Sequence, residues 1–186
     1  MTRDAAGKGH MADGERTGRP ERRPVRGHGR SSVAMSDEEV DGFLGLPLTM
    51  ALATISSGGQ PHLAAMWYGF VDGALGFLTY RGSQKYENIE RDFRVTCMFE
   101  DGSRSYDQLR GVVLMGSVEQ VSGEPMERLA FSITERYQGP LDEAGRDGVR
   151  AGLRKRLGFV LDVAHTASWD HAKQGGTGAS GGGSTP

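Results

Sequence analysis

The chain has little of three things that often reveal a protein's class: cysteine, long apolar runs and net charge. Its one cysteine, Cys97, among 186 residues excludes an intrachain disulfide and any metal site built on paired cysteines. The longest apolar stretches, such as LPLTMALATI at 46–55, are far shorter than the roughly 18 to 20 residues that a membrane helix needs. We therefore expect a soluble, cytoplasmic protein.

The formal net charge of −2 hides an uneven distribution. Residues 1–34 hold eight of the 22 basic and four of the 24 acidic residues, with almost nothing large and apolar. We expect residues 1–35 to form a disordered basic tail, or Met35 to be the true start, because such a stretch cannot bury enough apolar surface to fold. It also lacks the apolar segment of a secretory signal.

The rest of the chain is acidic, with 14 basic and 20 acidic residues. This balance argues against binding nucleic acid by bulk charge. An alternative, that the basic arm binds nucleic acid, predicts steep salt dependence that disappears when the arm is deleted. The Gly/Ser-rich end, 174–186, predicts a flexible tail. One folded domain at 36–173 remains.

The first half of this domain indicates a short helix followed by three strands. SDEEVDGFLG at 36–45 has a Ser cap, acidic residues in its first turn and a terminal Gly, which is typical of a helix. Alternating small and apolar residues at 49–56 and 61–70, joined by SGGQ, predict a hairpin. A turn at 71–73 then leads into a third strand, ALGFLTY.

The second half adds two long strands, three helices and a closing strand. Gly111 and Gly116 within one of these strands would allow bends or bulges. Short turns without regular strand–helix–strand alternation favour a small, mainly antiparallel barrel. The predicted elements are a helix at 83–92, strands at 94–100 and 109–121, helices at 124–137 and 148–157, and a strand at 158–170.

The helix predicted at 83–92 carries basic residues where acidic ones are expected. Arg81 and Lys85 lie at its start, and a helix start is partly positive because of the macrodipole. A bound anion would supply the missing negative charge, held also by free N–H groups and by the hydroxyls of Thr79 and Ser83. The alternative is that both cations are simply solvated, with Glu87 or Glu90 nearby.

The segment GFLTYRGSQKYENIERDFRVTCMFED at 76–101 resembles the cofactor segment of the pyridoxamine 5'-phosphate oxidase-like, FMN-binding split barrels. The segments MWY, SQKYEN and SWDHAK are most similar to the F420-dependent, flavin/deazaflavin branch. The resemblance covers about residues 43–173. It implies a mainly β fold with flanking helices, a six-stranded antiparallel Greek-key split barrel, a homodimer, and hydride transfer between F420 or FMN and a small unsaturated organic substrate.

The same resemblance implies a set of cofactor-binding residues, with the phosphate at Lys85 and the ring beside the strand LAAMWY. Gln84 replaces a basic residue common in the oxidases, and HLAAMWY lacks their Arg or Lys. These departures argue against a pyridoxamine phosphate oxidase and leave F420 and FMN open. The implied residues are Ala65, Met66, Trp67, Leu78, Thr79, Arg81, Ser83, Gln84, Lys85 and Asn88.

Several alternatives stay open at this point. At most one of Trp67 and Tyr68 can line the pocket, because neighbours in a strand face opposite sides. Cys97 is expected to be a small buried hydrophobe, and we predict no metal site at His165 or His171. No acid–base pair stands out, so a proton would come from solvent, Tyr80 or Arg81. A non-catalytic binder of flavin, haem or tetrapyrrole on the same barrel is the second functional hypothesis.

Overall fold

The computed structural model describes residues 31–101 and 105–177. The strands are β1 Met50–Ile55, β2 Pro61–Met66, β3 Gly69–Val71, β4 Ala74–Tyr80, β5 Arg94–Asp101, β6 Arg110–Val121 and β7 Arg156–Asp170. The helices are α1 Asp37–Leu44, α2 Gln84–Arg91, α3 Gly123–Gln138 and α4 Glu143–Gly152. Short 3₁₀ turns lie at Ser31–Val33, Tyr106–Gln108, Leu153–Lys155 and His171–Thr177. Within the described ranges, no helix has the length and apolarity needed to cross a membrane.

The seven strands form one antiparallel sheet that curls into a split barrel. Their order is β2-β1-β5-β6-β7-β4-β3, so β2 and β3 lie at opposite ends. A flat sheet of this size would separate its edges by roughly 29 Å. The chain from Met66 to Gly69 spans at most about 11 Å, so the sheet must curl until its edges approach each other. No pairing joins β2 to β3 among the described strands, which leaves the barrel split there.

The barrel interior is filled by alternate residues of the central strands. On β1, for example, Met50, Leu52 and Thr54 are buried while the residues between them are partly exposed. This alternation follows from the two-residue period of a strand. The largest fully buried side chains include Tyr68, Phe77 and Phe99.

In the described part of the chain, helices α1, α2 and α3 pack against the sheet, and α4 packs against α3. A capping box at Ser36 starts α1, since the Ser36 hydroxyl accepts from Glu39 N and the Glu39 carboxylate accepts from Ser36 N. Helix α3 lies over β3, where Leu129 and Ile133 cluster with Val71.

The predicted split barrel is confirmed, but its strand count is seven rather than six. The predicted strand 61–70 is two strands, because Trp67 and Tyr68 carry the chain from one sheet edge to the other. The bulge predicted near Gly116 is confirmed by a register shift between Met115 and Gly116.

The predicted helix 148–157 is wrong at both ends. Helix α4 starts earlier, at Glu143, with Asp142 as its cap, and it ends at Gly152. Arg156 already belongs to β7, where it pairs with Tyr80 of β4. A long-range strand pairing therefore overrides the local helical pattern.

The predicted tails fall largely outside the described residues. Where the chain is described, Val33 is buried, and Met35 N donates to Ser168 Oγ at 3.0 Å. Lys173 Nζ also donates to the carbonyl oxygen of Ala34 at 2.9 Å. The two described ends of the chain thus lie against each other.

Candidate functional site

The corner where β4 ends and α2 begins has the geometry that the sequence predicts. Thr79 is only 2% exposed, and its Oγ1 lies 2.9 Å from Ser83 Oγ. Ser83 is the N-cap of α2, with extended backbone and a hydroxyl that accepts from Tyr86 N at 3.4 Å. A side-chain cap fixes the helix start and leaves the other first-turn N–H groups available.

Two cations at this corner have no carboxylate partner among the residues that the structure describes. The side chains of Lys85, which is partly buried, and Arg81, which is exposed, form no ion pair or hydrogen bond with any residue in the described ranges. Glu90 instead accepts a hydrogen bond from the Tyr86 hydroxyl. Neither Glu87 nor Glu90 forms an ion pair with Arg81 or Lys85 in the described ranges, which leaves both cations available to solvent or to a bound anion. We define Thr79, Arg81, Ser83 and Lys85 as the anion corner.

Asn88 lies beneath the anion corner, not at its surface. Its side chain is fully buried, and its Nδ2 donates to Thr54 Oγ1 at 2.9 Å. Its Oδ1 accepts from Gln84 Nε2 and from Arg91 Nη2, each at 2.9 Å. Asn88 therefore links α2 to β1 by a hydrogen bond. One side-chain N–H of Gln84 is used in its hydrogen bond to Asn88.

Strand pairing adds further cations that local sequence does not reveal. Arg81 N donates to the carbonyl oxygen of Lys155 at 3.2 Å, and Arg156 Nη2 donates to the Tyr80 hydroxyl at 3.0 Å. Neither Arg154 nor Lys155 forms an ion pair with a described residue. The local pattern predicts a helix for this basic run, and only the β4–β7 pairing brings it beside Arg81.

The strand β2 is an open edge of the sheet. Among the described strands it pairs only with β1, so its other side presents unpaired backbone groups. Ala65 is exposed and Met66 partly buried. A shallow cavity of about 420 Å³ lies over this region; it is lined by Thr49, Met50, Ala51, Leu63, Ala64, Ala65, Met98 and Glu100.

The open edge begins beside the anion corner. Thr54, which Asn88 contacts, pairs with His62 of β2. Ala65 is three residues further along the strand, a distance of about 10 Å. An elongated ligand with an anionic group at Lys85 could therefore extend along β2 toward Met66.

The structure distinguishes Trp67 from Tyr68. Tyr68 is fully buried, and its hydroxyl donates to the carbonyl oxygen of Leu46 at 2.9 Å. Trp67 is 46% exposed and stacks on Tyr137, with ring centroids 4.6 Å apart and an angle of 6° between the planes. Only Trp67 is placed to meet a ligand.

Leu78 lies apart from the other predicted residues. It packs against the cluster of Val71, Leu129 and Ile133 beneath α3, whereas its neighbour Thr79 faces the anion corner. Neighbouring side chains in a strand face opposite sides, so a contact between Leu78 and a ligand at the anion corner would involve the Leu78 backbone.

Burial sets the protonation of the site's hydroxyl and thiol groups. It raises the pKa of Tyr68 and of Tyr137, although the nearby Arg136 guanidinium opposes the shift. Both phenols therefore stay neutral hydrogen-bond donors. Cys97 is fully buried, which confirms the prediction of a small buried hydrophobe, and this burial raises the pKa of its thiol to about 12.

A second cavity, of about 630 Å³, lies beside α3 and includes none of the predicted residues. Its arginines are mostly paired: Arg128 Nη2 lies 2.6 Å from Asp72 Oδ2, and Arg146 Nη2 lies 2.7 Å from Glu135 Oε1. This pairing makes it a weaker anion site than the corner at Lys85. It is lined by Gly45, Pro47, Arg128, Phe131, Ser132, Glu135, Arg136 and Arg146. The described residues contain no cluster of His, Cys, Asp and Glu able to hold a metal ion.

Comparisons with known proteins agree with this fold. The sequence profile of the pyridoxamine 5'-phosphate oxidase family matches residues 36–170. The crystal structure of the conserved hypothetical protein Rv2991 from Mycobacterium tuberculosis is 42% identical, with a TM-score of 0.75, and the match covers 84% of this chain and 98% of that one. A search of curated proteins finds no match.

Two more distant structures share the fold. An F420 reductase is 27% identical, with a TM-score of 0.52, over 68% of this chain and 94% of that one. HutZ, a heme storage protein from Vibrio cholerae, is 18% identical, with a TM-score of 0.55, over 68% of this chain and 89% of that one. The profile match and the likeness to Rv2991 place the chain in the pyridoxamine 5'-phosphate oxidase family.

Proposed function

We propose that this protein is an F420-dependent oxidoreductase, with FMN as the alternative cofactor, that transfers a hydride between the cofactor and a small unsaturated organic substrate. The observation that carries the proposal is the anion corner, where Lys85 lies at a helix start capped by Ser83 and forms no ion pair with any described residue. The profile match to a family of flavin-using proteins supports it, and so does the fold shared with an F420 reductase.

The anion corner would hold the cofactor phosphate. Free N–H groups in the first turn of α2, the two hydroxyls and the Lys85 ammonium all favour negative charge there. Hydrogen bonds from a cation to a phosphate oxygen are about twice as strong as neutral ones. Arg81 would add a second positive charge at the rim.

The open edge of β2 would hold the cofactor ring. Small side chains at Ala64 and Ala65 allow a flat ring to approach the backbone closely, and unpaired N–H and C=O groups of an edge strand can bond to its polar margin. When bound, the cofactor supplies the hydride chemistry. The chain's own part is to anchor, orient and shield, with solvent or Tyr80 supplying any proton.

A homodimer is part of the proposal. An apolar outer face is formed by Ala51, Ala53, Leu63, Ala65 and Met98, which face the same side of β1, β2 and β5. Leu63 is 68% exposed and Met98 is 41% exposed. Exposed apolar surface of this kind is typical of an interface, and a second copy covering it would also close the open edge of β2.

A fluorescence titration with F420 and FMN tests the proposal. We expect wild type to bind one of them, and Lys85→Ala to weaken that binding by about tenfold or more, because a charged hydrogen bond is worth about 1.5 to 3 kcal/mol. Arg128→Ala is the charge-matched control. Its guanidinium is half exposed and pairs with Asp72 far from the corner, so binding should not change.

Two outcomes would contradict the proposal. One is equal cofactor binding by wild type and Lys85→Ala. The other is no binding of either cofactor together with a Soret band on adding haemin, which would favour the haem-binding hypothesis.

A further inference from the structure

The stacked pair of Trp67 and Tyr137 is a preformed planar surface next to the open edge. Trp67 directly follows Met66, the last residue of β2. One face of its indole lies on the Tyr137 ring, nearly parallel at 6°, and the side chain is still 46% exposed. A large aromatic ring that remains this exposed while being held flat is well suited to bind a second flat ring.

Tyr137 is held more firmly than packing alone would require. Its hydroxyl donates to the carbonyl oxygen of Leu48 at 2.6 Å and accepts from Tyr68 N at 3.4 Å. The Tyr68 ring contacts it edge-on, with centroids 6.3 Å apart. These contacts tie the end of α3 to the segment before β1, so the plane on which Trp67 lies is fixed before any ligand arrives.

We propose that Trp67 is a stacking platform for a planar, conjugated ring system, and that Tyr137 is the positioning residue that keeps this platform flat. The inference rests on the proposed function, because the ring would belong to the cofactor bound along β2 or to a planar substrate beside it. It goes further by assigning the stacking contact to the Trp67 indole and a positioning role to Tyr137.

Lumiflavin, an isoalloxazine ring without ribityl phosphate, tests the platform separately from the anion corner. Its own fluorescence reports binding, because close stacking on indole quenches it. We expect Trp67→Leu to weaken lumiflavin binding about tenfold and to relieve the quenching. Lys85→Ala should leave lumiflavin binding unchanged while weakening FMN or F420.

The chain offers a matched control in its only other tryptophan, Trp169. Trp169 packs against Gly111, and Trp169→Phe should bind and quench lumiflavin as wild type does. Wild type that fails to bind lumiflavin would overturn the platform, as would Trp67→Leu that binds it normally or that changes only the oligomeric state in sedimentation. Lumiflavin binding through Trp67 without any cofactor binding would instead overturn the proposed function alone.

The positioning role of Tyr137 must be tested with a measurement that a general loss of stability would not change. In a Trp169→Phe background Trp67 is the sole indole, and its emission reports its own environment. We expect Tyr137→Leu to shift that emission to longer wavelength, to lower its anisotropy and to weaken lumiflavin binding. Tyr137→Phe should change all three much less, because it keeps the ring. An unchanged Trp67 spectrum in Tyr137→Leu would refute the positioning role.

Discussion

The two edges of this sheet differ in what covers them. At the β3 edge, Phe70 N donates to Ser132 Oγ of α3 at 2.9 Å, and Gly69 and Val71 are buried. At the β2 edge no helix covers the strand in the described structure, and Leu63 and Ala65 are exposed. One edge is closed by the chain itself, and the other is left open.

Small residues serve both edges in different ways. A Cβ on Gly69 would come within 2.8 Å of Ile133 N, so glycine there lets a helix approach the strand. Ala64 and Ala65 instead have small side chains, which leave the backbone of the β2 edge accessible. Proteins normally blunt or cover an open edge because it promotes aggregation. An uncovered edge, beside cations that have no carboxylate partner among the described residues, is consistent with the proposed ligand and the proposed second subunit.

The largest expected contrast between the edges is in stability. Leu129→Ala, in the helix over β3, removes a fully buried side chain and should lower the free energy of unfolding by about 2 to 5 kcal/mol. At a protein concentration below the dimer dissociation constant, where dimerisation does not contribute to stability, Leu63→Ala on β2 should change it by less than about 0.5 kcal/mol. Denaturant unfolding measures both. Equal losses of unfolding free energy in the two variants would mean that the side chains of β2 are as well packed as those over β3.

Glycine substitutions at the two edges should also differ in their effect on the free energy of unfolding, by a smaller amount. Gly69→Ala forces a backbone contact and should cost about 1 to 3 kcal/mol. Gly58, in the turn leading into β2, has no positive φ, and a Cβ added there would have nothing within 4 Å. Gly58→Ala should therefore be nearly neutral. A neutral Gly69→Ala would show that α3 does not hold β3 tightly.

The outer face of β1, β2 and β5 allows a test of assembly. Leu63→Asp places a charge at the centre of the proposed interface and should raise the dimer dissociation constant about tenfold or more, measured by sedimentation. Phe93→Asp, an exposed apolar position outside that face, serves as the control. Wild type that is monomeric at high concentration would contradict the proposed homodimer.

The sheet centre gives an effect that appears only above pH 9.0. Burial raises the Cys97 pKa from 9.0 to about 12, so the neutral thiol is favoured in the folded state. This contribution is complete below pH 9.0 and is lost as the pH rises through about 12. Native protein should resist thiol reagents at pH 8, and Cys97→Ala should lose less stability than wild type between these pH values. Rapid labelling of native protein would contradict the burial.

Much of the fold and of the anion corner could be predicted from local sequence. Contacts within one short segment, or the family resemblance of that segment, are enough to predict four features. These are the Ser83 cap, the cationic Lys85 at the helix start, and the strands β4 and β5. The break at Trp67 and Tyr68 could not be predicted, because MWYGF alternates like a continuous strand. It becomes necessary only when the sheet curls and its edges meet.

Long-range pairing explains the remaining differences. The pairing of β7 brings residues 154–156 to the site, and α3 brings Tyr137. Both segments lie more than fifty residues from β2 and β4 in the chain, so no local pattern predicts these contacts. The sequence predicts Asn88 at the surface of the site because it lies one turn beyond Lys85. In the structure, Asn88 lies on the same side of α2 as Gln84. Its side-chain amide points into the protein because it donates a hydrogen bond to the buried Thr54 hydroxyl.

Hydrogen–deuterium exchange with and without the cofactor that binds more tightly tests the central claim most directly. We predict slower exchange in β2, 61–66, and at the start of α2, 83–88, with no change in β3 or in 123–133 of α3. Lys85→Ala should lose the protection at 83–88. Protection confined to the arginine-lined cavity beside α3, with none in β2, would contradict the claim that the ligand lies between the anion corner and the open edge.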